Sequence, residues 1–434
     1  MKFPGKRKSE HYFPKKEKTR ENEFKNVLEA ESYYIVGIDQ LLVDIECHVS
    51  DEFIKENGLT KGQSHILSDE DTAKIYSHLQ NGNFITGEYA GGSVGHTLHN
   101  YSVLADERSV MLGTIKKSIT VGDYAYKYIR NTSVRVDLSY LQPIDGDMGR
   151  AICFITPDGE RTFAISKGGM NLLTAENVIK NRKIIENASG LLITAYLLRD
   201  ESEPIFNATI EACKIALAAN VPVVFTLGTA SLIASKREFF RNFIRDYATI
   251  CAMNEFEATA ATGIEDSLQA AENLLDITDM ILLTEGSKGL TIAGWVDKSL
   301  ARETKNQLHT KSIVYYNKYE FSRPMRKEDC PEPIKIYTHI NPFMGGPSNL
   351  NNTNGAGDAA LAALLHDMSA KCYYQVRVPN SPKHNVKALT YSSLSQLAKY
   401  ANRVSYEVIS QKSPRLMKGL PEREGALEDA YWDK

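Results

Sequence analysis

The chain has 434 residues, 42% of them hydrophobic and 24% charged, with a mean hydropathy of -0.32. This is enough apolar material for a large core, and it excludes a collagen-like or wholly disordered chain. The 51 Lys and Arg nearly balance 54 Asp and Glu, for a formal charge of -3, which gives no general attraction to nucleic acid or to an anionic membrane.

Residues 1–31 form a basic N-terminal tail. Its first 25 residues hold nine Lys or Arg against four Glu, and Pro4 and Pro14 interrupt any helix there. The stretch has no apolar run of the kind a secretion signal needs. No later segment reaches the ~18 to 20 continuous apolar residues of a membrane span. Six cysteines (Cys47, Cys153, Cys213, Cys251, Cys330, Cys372) lie scattered without a CxxC pair, against both a disulfide framework and a zinc site. The expected location is therefore the cytoplasm, with neither a membrane nor a nucleic acid as partner.

Residues 32–434 read as one α/β unit. YYIVGI at 33–38 and LLVDI at 41–45 have the β-branched, apolar character of strands, and Gly37 marks a place where the first might end. GLLITAYLL, VPVVFTLG, ATICAMN and DMILLTEG continue the strand pattern from 190 to 286. Between them, NATIEACKIALAAN and DSLQAAENLL repeat apolar residues at helical spacing. Strand and helix in alternation predict a doubly wound, mainly parallel sheet flanked by helices. Residues 130–166 differ, with strand-like runs separated by turns at Asp145-Gly146 and Asp158-Gly159, and read as antiparallel. Residues 295–350, polar and ending in NPFMGGPSN, read as an insertion. SSLSQLAKYANRVSYEVI predicts a late helix.

The most informative motif is NTNGAGD at 352–358, followed directly by AALAALLHD. Small residues at Gly355, Ala356 and Gly357 would aim backbone N–H groups at an anion from a helix start. Asp358, in the first turn, could take a proton from a hydroxyl attacking phosphorus. An ordinary glycine-rich helix cap explains the same residues equally well. Asn254 and Glu257, three apart where a strand meets a helix, could organise a hydrated Mg²⁺ or form a capping pair. Thr284-Glu285-Gly286-Ser287-Lys288-Gly289 suits either a nucleotide-binding turn or a plain hairpin. Ala90-Gly91-Gly92-Ser93-Val94-Gly95 precedes the helical HTLHNYSVLA and could be a hinge or a floor beneath a ligand. There is no GxGxxG after an opening strand and no GxxxxGK[ST], which disfavours dinucleotide oxidoreductases and P-loop enzymes.

Taken in order, VGIDQLLVD, AGGSVGHTLHN, NEFE, TEGSKGL, NTNGAGD and YANRVS make the sequence resemble the PfkB family of carbohydrate and nucleoside kinases along nearly its whole length. That resemblance implies a ribokinase-like fold with a small β-rich lid, drawn from segments about 40–88 and 130–166, and activity with Mg²⁺ and ATP. It makes Asp358 the base and Gly355 to Gly357 the anion hole. It places Asp44, Gly91, Gly92 and His96 at the acceptor, with Arg161 on a lid strand able to reach the site or to form an exposed ion pair. Asn254, Thr284, Gly286, Gly289 and Asn402 fall at ATP, and Glu257 with Asn254 at a metal held through water.

His96 stands where the family usually has Asn, Asn352 where it has Asp and Asn354 where it has Thr. Within the family the length, basic start, insertion and ending SPRLMKGLPERE are most similar to bacterial members acting on inosine and guanosine. The resemblance thus implies transfer to the 5′-hydroxyl of those nucleosides in purine salvage, stimulation by K⁺ and, because relatives pair subunits through their lids, a homodimer. Adenosine or a sugar as acceptor, or a catalytically silent nucleotide-binding protein, remain alternatives.

Overall fold

The computed structural model describes residues 33–304, 313, 315–347, 350, 351, 353–417, 419 and 420. The basic tail expected at 1–31 and Asn352 lie outside them. The chain enters along β1 (Ile35–Ile38), every residue of which is buried, and crosses at once to β2 (Leu42–His48), β3 (Ser64–Leu67) and β4 (Ile85–Ala90). Helix α1 (Ser93–Ala105) brings it back to β5 (Ser109–Leu112), β6 (Thr114–Lys116), β7 (Val136–Asp137) and β8 (Gln142–Ile144). The hairpin of β9 (Gly149–Ile155) and β10 (Arg161–Ser166) follows.

From there the predicted alternation holds. β11 (Gly190–Thr194) leads through α2 (Pro204–Ala218), with Pro204 at its first position, to β12 (Val223–Thr226). β13 (Ile250–Asn254) leads through α3 (Glu255–Thr262) to β14 (Met280–Thr284). The chain closes with β15 (Leu290–Asp297), β16 (Pro333–Ile340), α4 (Ala356–Arg377) and α5 (Leu394–Ile409).

The main sheet has nine strands in the order β16-β15-β14-β13-β12-β11-β1-β5-β7. The neighbours from β7 to β14 run parallel, and β15 and β16 add an antiparallel edge. Parallel strands covered on both faces need apolar side chains throughout, which is why GLLIT is buried from end to end and why these runs were conspicuous in the sequence. Helices α1, α4 and α5 pack together beside the sheet. Among the described residues no helix is long and apolar enough to cross a membrane.

Several sequence expectations change in detail. Gly37 does not end a strand. It lies within β1, and a Cβ there would come 2.5 Å from Val94 and 2.9 Å from Leu98 of α1, so the missing side chain permits a close approach of strand and helix. LLVDI leaves the main sheet for a second one, of five strands ordered β3-β10-β9-β2-β4. That sheet is mixed rather than antiparallel: β9 and β10 form a hairpin and β2 pairs antiparallel with β4, but β2 with β9 and β3 with β10 run parallel. Two segments distant in sequence interleave here, so local turn chemistry reports only the hairpin. The stretch 295–350 is likewise no simple appendage, since it supplies the end of β15 and the whole of edge strand β16, with Trp295 Nε1 donating to the Leu275 carbonyl at 3.0 Å.

Candidate active site

A cavity of about 380 Å³ opens where several parallel strands end, lined among others by Thr226, Asn254 and Thr284, the last residues of β12, β13 and β14. The carboxyl edge of an open parallel sheet is where such folds hold ligands. The first turn of α4 forms one wall, with Gly355, Ala356, Gly357 and Asp358 all lining the cavity. Gly355 adopts φ 77° as it enters the helix, a conformation that favours glycine. A side chain there would also meet the Pro414 carbonyl at 2.7 Å. The 22 residues of α4 direct their positive end at this wall.

Asp358 lies in that turn, and its Oδ1 accepts hydrogen bonds from Ser93 Oγ at 2.6 Å and Thr97 Oγ1 at 3.3 Å. The two hydroxyls are one turn apart on α1, so a single helix face aims the carboxylate. Burial raises the Asp358 pKa, while His96 and these two hydroxyls pull it down. A carboxylate so placed, in no ion pair among the described residues and beside a helix start, is suited to accept a proton while an oxygen attacks a phosphoryl group held at the turn.

Asn254 and Glu257 form the capping pair and stand at the cavity as well. Glu257 N–H donates to Asn254 Oδ1 at 2.9 Å, and Asn254 N–H donates to Glu257 Oε2 at 3.0 Å, so they cap α3. Both also line the cavity, where burial and the charge of Asp358 raise the Glu257 pKa to about 7. Among the described residues no group of three or more His, Cys, Asp or Glu converges as a metal cage. A Mg²⁺ here would therefore be held by phosphate oxygens and water with Glu257 as a nearby carboxylate, which fits the preference of this ion for retaining water.

Gly91 and Gly92, expected from the resemblance at the acceptor, lie against two aspartates. A Cβ on Gly91 would meet the Asp44 carboxyl carbon at 2.6 Å, and one on Gly92, at φ 91°, would meet Asp39 Oδ2 at 2.2 Å. Asp44 at the start of the smaller sheet faces His96 Nε2 at 3.4 Å. Asp39, at the end of β1, accepts from the backbone N–H groups of Gly95 at 2.7 Å and Gln40 at 2.9 Å. Burial pushes its pKa up to about 8 despite those bonds, and Asp358 adds to the rise.

Arg161 reaches across from β10, its Nη1 donating to Asn354 Oδ1 and, at 3.4 Å, to Thr353 Oγ1. It thus meets the phosphate-side loop itself. Asn354 in turn donates to Glu46 of β2 at 3.4 Å. Thr284 lines the cavity, whereas Gly286, Gly289 and Asn402 are outside its lining, as are Asp44, Gly91, Gly92, His96 and Arg161. Gly289 permits close passage of the Ile340 carbonyl, which a Cβ would approach to 1.9 Å. Asn402 Nδ2 donates to the Asn341 carbonyl at 2.6 Å and anchors the loop before α4.

Sequence reasoning missed Asp39, Ser93, Thr97, Tyr196 and Arg415. Ser93 and Thr97 left a signal, two hydroxyls at i and i+4 following the paired glycines. Tyr196, whose hydroxyl donates to the Gly228 carbonyl at 2.9 Å, left none, and Arg415 left only its place in SPRLMKGLPERE, because their contacts are remote in sequence.

The sheet, the cavity at its carboxyl edge and a carboxylate beside a phosphate-sized turn define a phosphotransferase. A model of the pfkB family of carbohydrate kinases matches residues 120–308. Over 436 aligned positions the chain is 50% identical to guanosine-inosine kinase of Escherichia coli strain K12, covering all of both chains, and equally to that of strain O157:H7. Among solved structures it resembles adenosine kinase from Sinorhizobium meliloti, at TM-score 0.64 and 21% identity, and a probable sugar kinase from Rhizobium etli, at TM-score 0.65 and 18% identity. Each alignment covers 89% of this chain and 96% of the other. The chain belongs to the pfkB family, and it is a kinase with the ribokinase-like fold.

Proposed function

We propose that this kinase phosphorylates the 5′-hydroxyl of guanosine and inosine from ATP, giving the nucleoside monophosphates. Identity of 50% along the entire length of guanosine-inosine kinase supports the nucleoside as acceptor. The single structural observation that carries the chemistry is the Asp358 carboxylate in the first turn of α4, aimed by Ser93 and Thr97.

The sugar lies over the paired glycines with its hydroxyls toward Asp44, and the 5′-oxygen points at Asp358. As that oxygen bonds to the γ-phosphorus, its proton passes to the Asp358 carboxylate and the bond to ADP breaks. Backbone N–H groups of Gly355 to Gly357 meet the charge on the transferring group. Glu257 and Asn254 are the residues that would stand near a Mg²⁺ ion brought with ATP, which would supply charge neutralisation, and K⁺ would stimulate turnover. Thr284 lies at the nucleotide, with the Gly286–Gly289 turn and Asn402 shaping the surface beyond it. The smaller sheet acts as a lid whose closure excludes water as a competing acceptor. The contacts from Arg161 and Asn354 between that sheet and the loop before α4 support this role.

The test is ATP consumption with Mg²⁺, with and without K⁺, on guanosine, inosine, adenosine, ribose and fructose, with products separated by chromatography. Turnover confined to guanosine and inosine is expected. Preference for adenosine or a sugar would overturn the acceptor, and ATP binding without turnover on any of the five would overturn the enzymatic reading.

A further inference from the structure

Arg415 is 4% exposed and sits at the heart of the acceptor side although it comes from the chain beyond α5. Its guanidinium makes four polar contacts. Nε donates to His96 Nδ1 at 3.1 Å, Nη1 to Thr132 Oγ1 at 3.0 Å and the Asn131 carbonyl at 3.3 Å, and Nη2 to the Gly91 carbonyl at 3.3 Å. The Tyr128 ring lies 5.6 Å from its central carbon. The segment carrying it is tied to α1 on either side: Leu416 N–H donates to Asn100 Oδ1 at 2.7 Å, and the Leu416 carbonyl lies 2.9 Å from His99 Nε2. His99 Nδ1 accepts from the Ser133 N–H at 3.0 Å, so its Nε2 must carry the proton and donate to Leu416.

We propose that Arg415 is a positioning residue for the acceptor: it fixes His96 as the Nε2–H tautomer, so that the imidazole turns its N–H edge to Asp44, 3.4 Å away, and sets that carboxylate toward the sugar hydroxyls. A guanidinium keeps its protons and offers no lone pair. His96 Nδ1 facing it must therefore be the acceptor nitrogen, which leaves the proton on Nε2, the atom 3.4 Å from Asp44 Oδ2. The same guanidinium braces the Gly91 carbonyl, so the glycine floor and the Asp44 carboxylate are set by one side chain. A lysine keeps the charge but cannot present the rigid fork that reaches His96, Thr132 and Gly91 together. This rests on the proposed reading in one respect, that Asp44 meets the nucleoside sugar.

The full chain, labelled with ¹⁵N-histidine, gives a direct readout of each ring tautomer, and the His96→Asn spectrum identifies the His96 signals. His96 with a bare Nδ1 and a protonated Nε2 is expected, whereas the opposite tautomer or a doubly protonated ring overturns the proposal. In kinetics, Arg415→Lys should raise the nucleoside KM about tenfold, leaving the ATP KM within about twofold, and in a His96→Asn background the same change should move the nucleoside KM by less than about threefold. Equal rises in both KM values, or a full effect retained without His96, would reduce Arg415 to a structural brace. The spectrum is recorded on wild-type protein without substrate. It therefore decides the arrangement even if Arg415→Lys does not fold, and separately from whether guanosine and inosine are the acceptors.

Discussion

The cavity wall formed by α4 and α3 and the cluster around the paired glycines beside it are built in opposite ways. The phosphate side is contiguous: Gly355 to Asp358 occupy one turn of α4, and Asn254 with Glu257 occupy one turn of α3. The proposed acceptor side gathers Asp39 from just after β1, Asp44 from the smaller sheet, Gly91 and His96 around the start of α1, and Arg415 from beyond α5. Binding a phosphate needs backbone N–H groups that a single helix start presents together. Gripping a sugar needs side chains converging from several directions, which only tertiary structure can supply.

That contrast can be broken most sharply at Asp358. Asp358→Asn should fold with an unchanged circular dichroism spectrum and lose about 10² to 10⁴-fold in kcat, the usual weight of a general base; activity near wild type would remove Asp358 from that role. On the acceptor side, Gly92→Ala should act through structure instead. Its φ of 91° and the 2.2 Å approach to Asp39 Oδ2 should destabilise the fold by about 1 to 3 kcal/mol, seen as a lowered Tm, together with a raised nucleoside KM. If Tm and KM both stay put, the glycine floor is looser than its geometry implies. Glu257→Gln should raise the Mg²⁺ concentration needed for half-maximal rate about tenfold while sparing the nucleoside KM, a split between the sides that a magnesium titration would reveal.

The smallest effect concerns pH. Asp39 and Glu257, raised by burial to about 8 and about 7, bind protons in the folded state that the unfolded chain has already released. Their contribution to stability is present below the unfolded carboxylate values and is lost as pH rises through 7 and 8. His99 and His366, pushed down to about 3 by burial, act in the opposite window: they stay neutral when folded, so their contribution is present above about 6.5 and is lost as pH falls. Tm should therefore decline on both flanks, and Asp39→Asn should flatten the alkaline flank; an unchanged slope from pH 7 to 9 would show that Asp39 is ionised in the free enzyme.

The same division governs what the sequence disclosed. The strands from β11 to β14 are continuous apolar runs because both faces are covered, and the GAGD turn announces itself because all its parts are adjacent. β16 was hidden in a polar stretch, since an edge strand needs little apolar content of its own. Gly37 resembled a strand end until Val94 and Leu98 appeared against it. Asp39 stood five residues before Asp44 in the same segment, but nothing local separates a carboxylate buried on α1 from one facing a ligand. Arg415, 319 residues from His96, lies in the SPRLMKGLPERE ending that marked the resemblance, but nothing in that string says which remote residue it meets.

The absence of a side chain at Gly37 lets β1 and α1 seat directly on one another, which makes them a single stiff body. The smaller sheet is joined to that body through Asp39–Leu41 on one side and Gly91–Gly92 on the other, side by side at the acceptor. If the sheet swings as a lid, those links are its axle, and Asp44 on β2, paired with Tyr89 and Ala151, rides close to it. Displacement in a rotation grows with distance from the axis. On the proposed reading the sugar would be held where the swing moves atoms least, while Arg161, at the hairpin end of β10, would travel farther, so that opening for substrates need not put the reacting hydroxyl out of register.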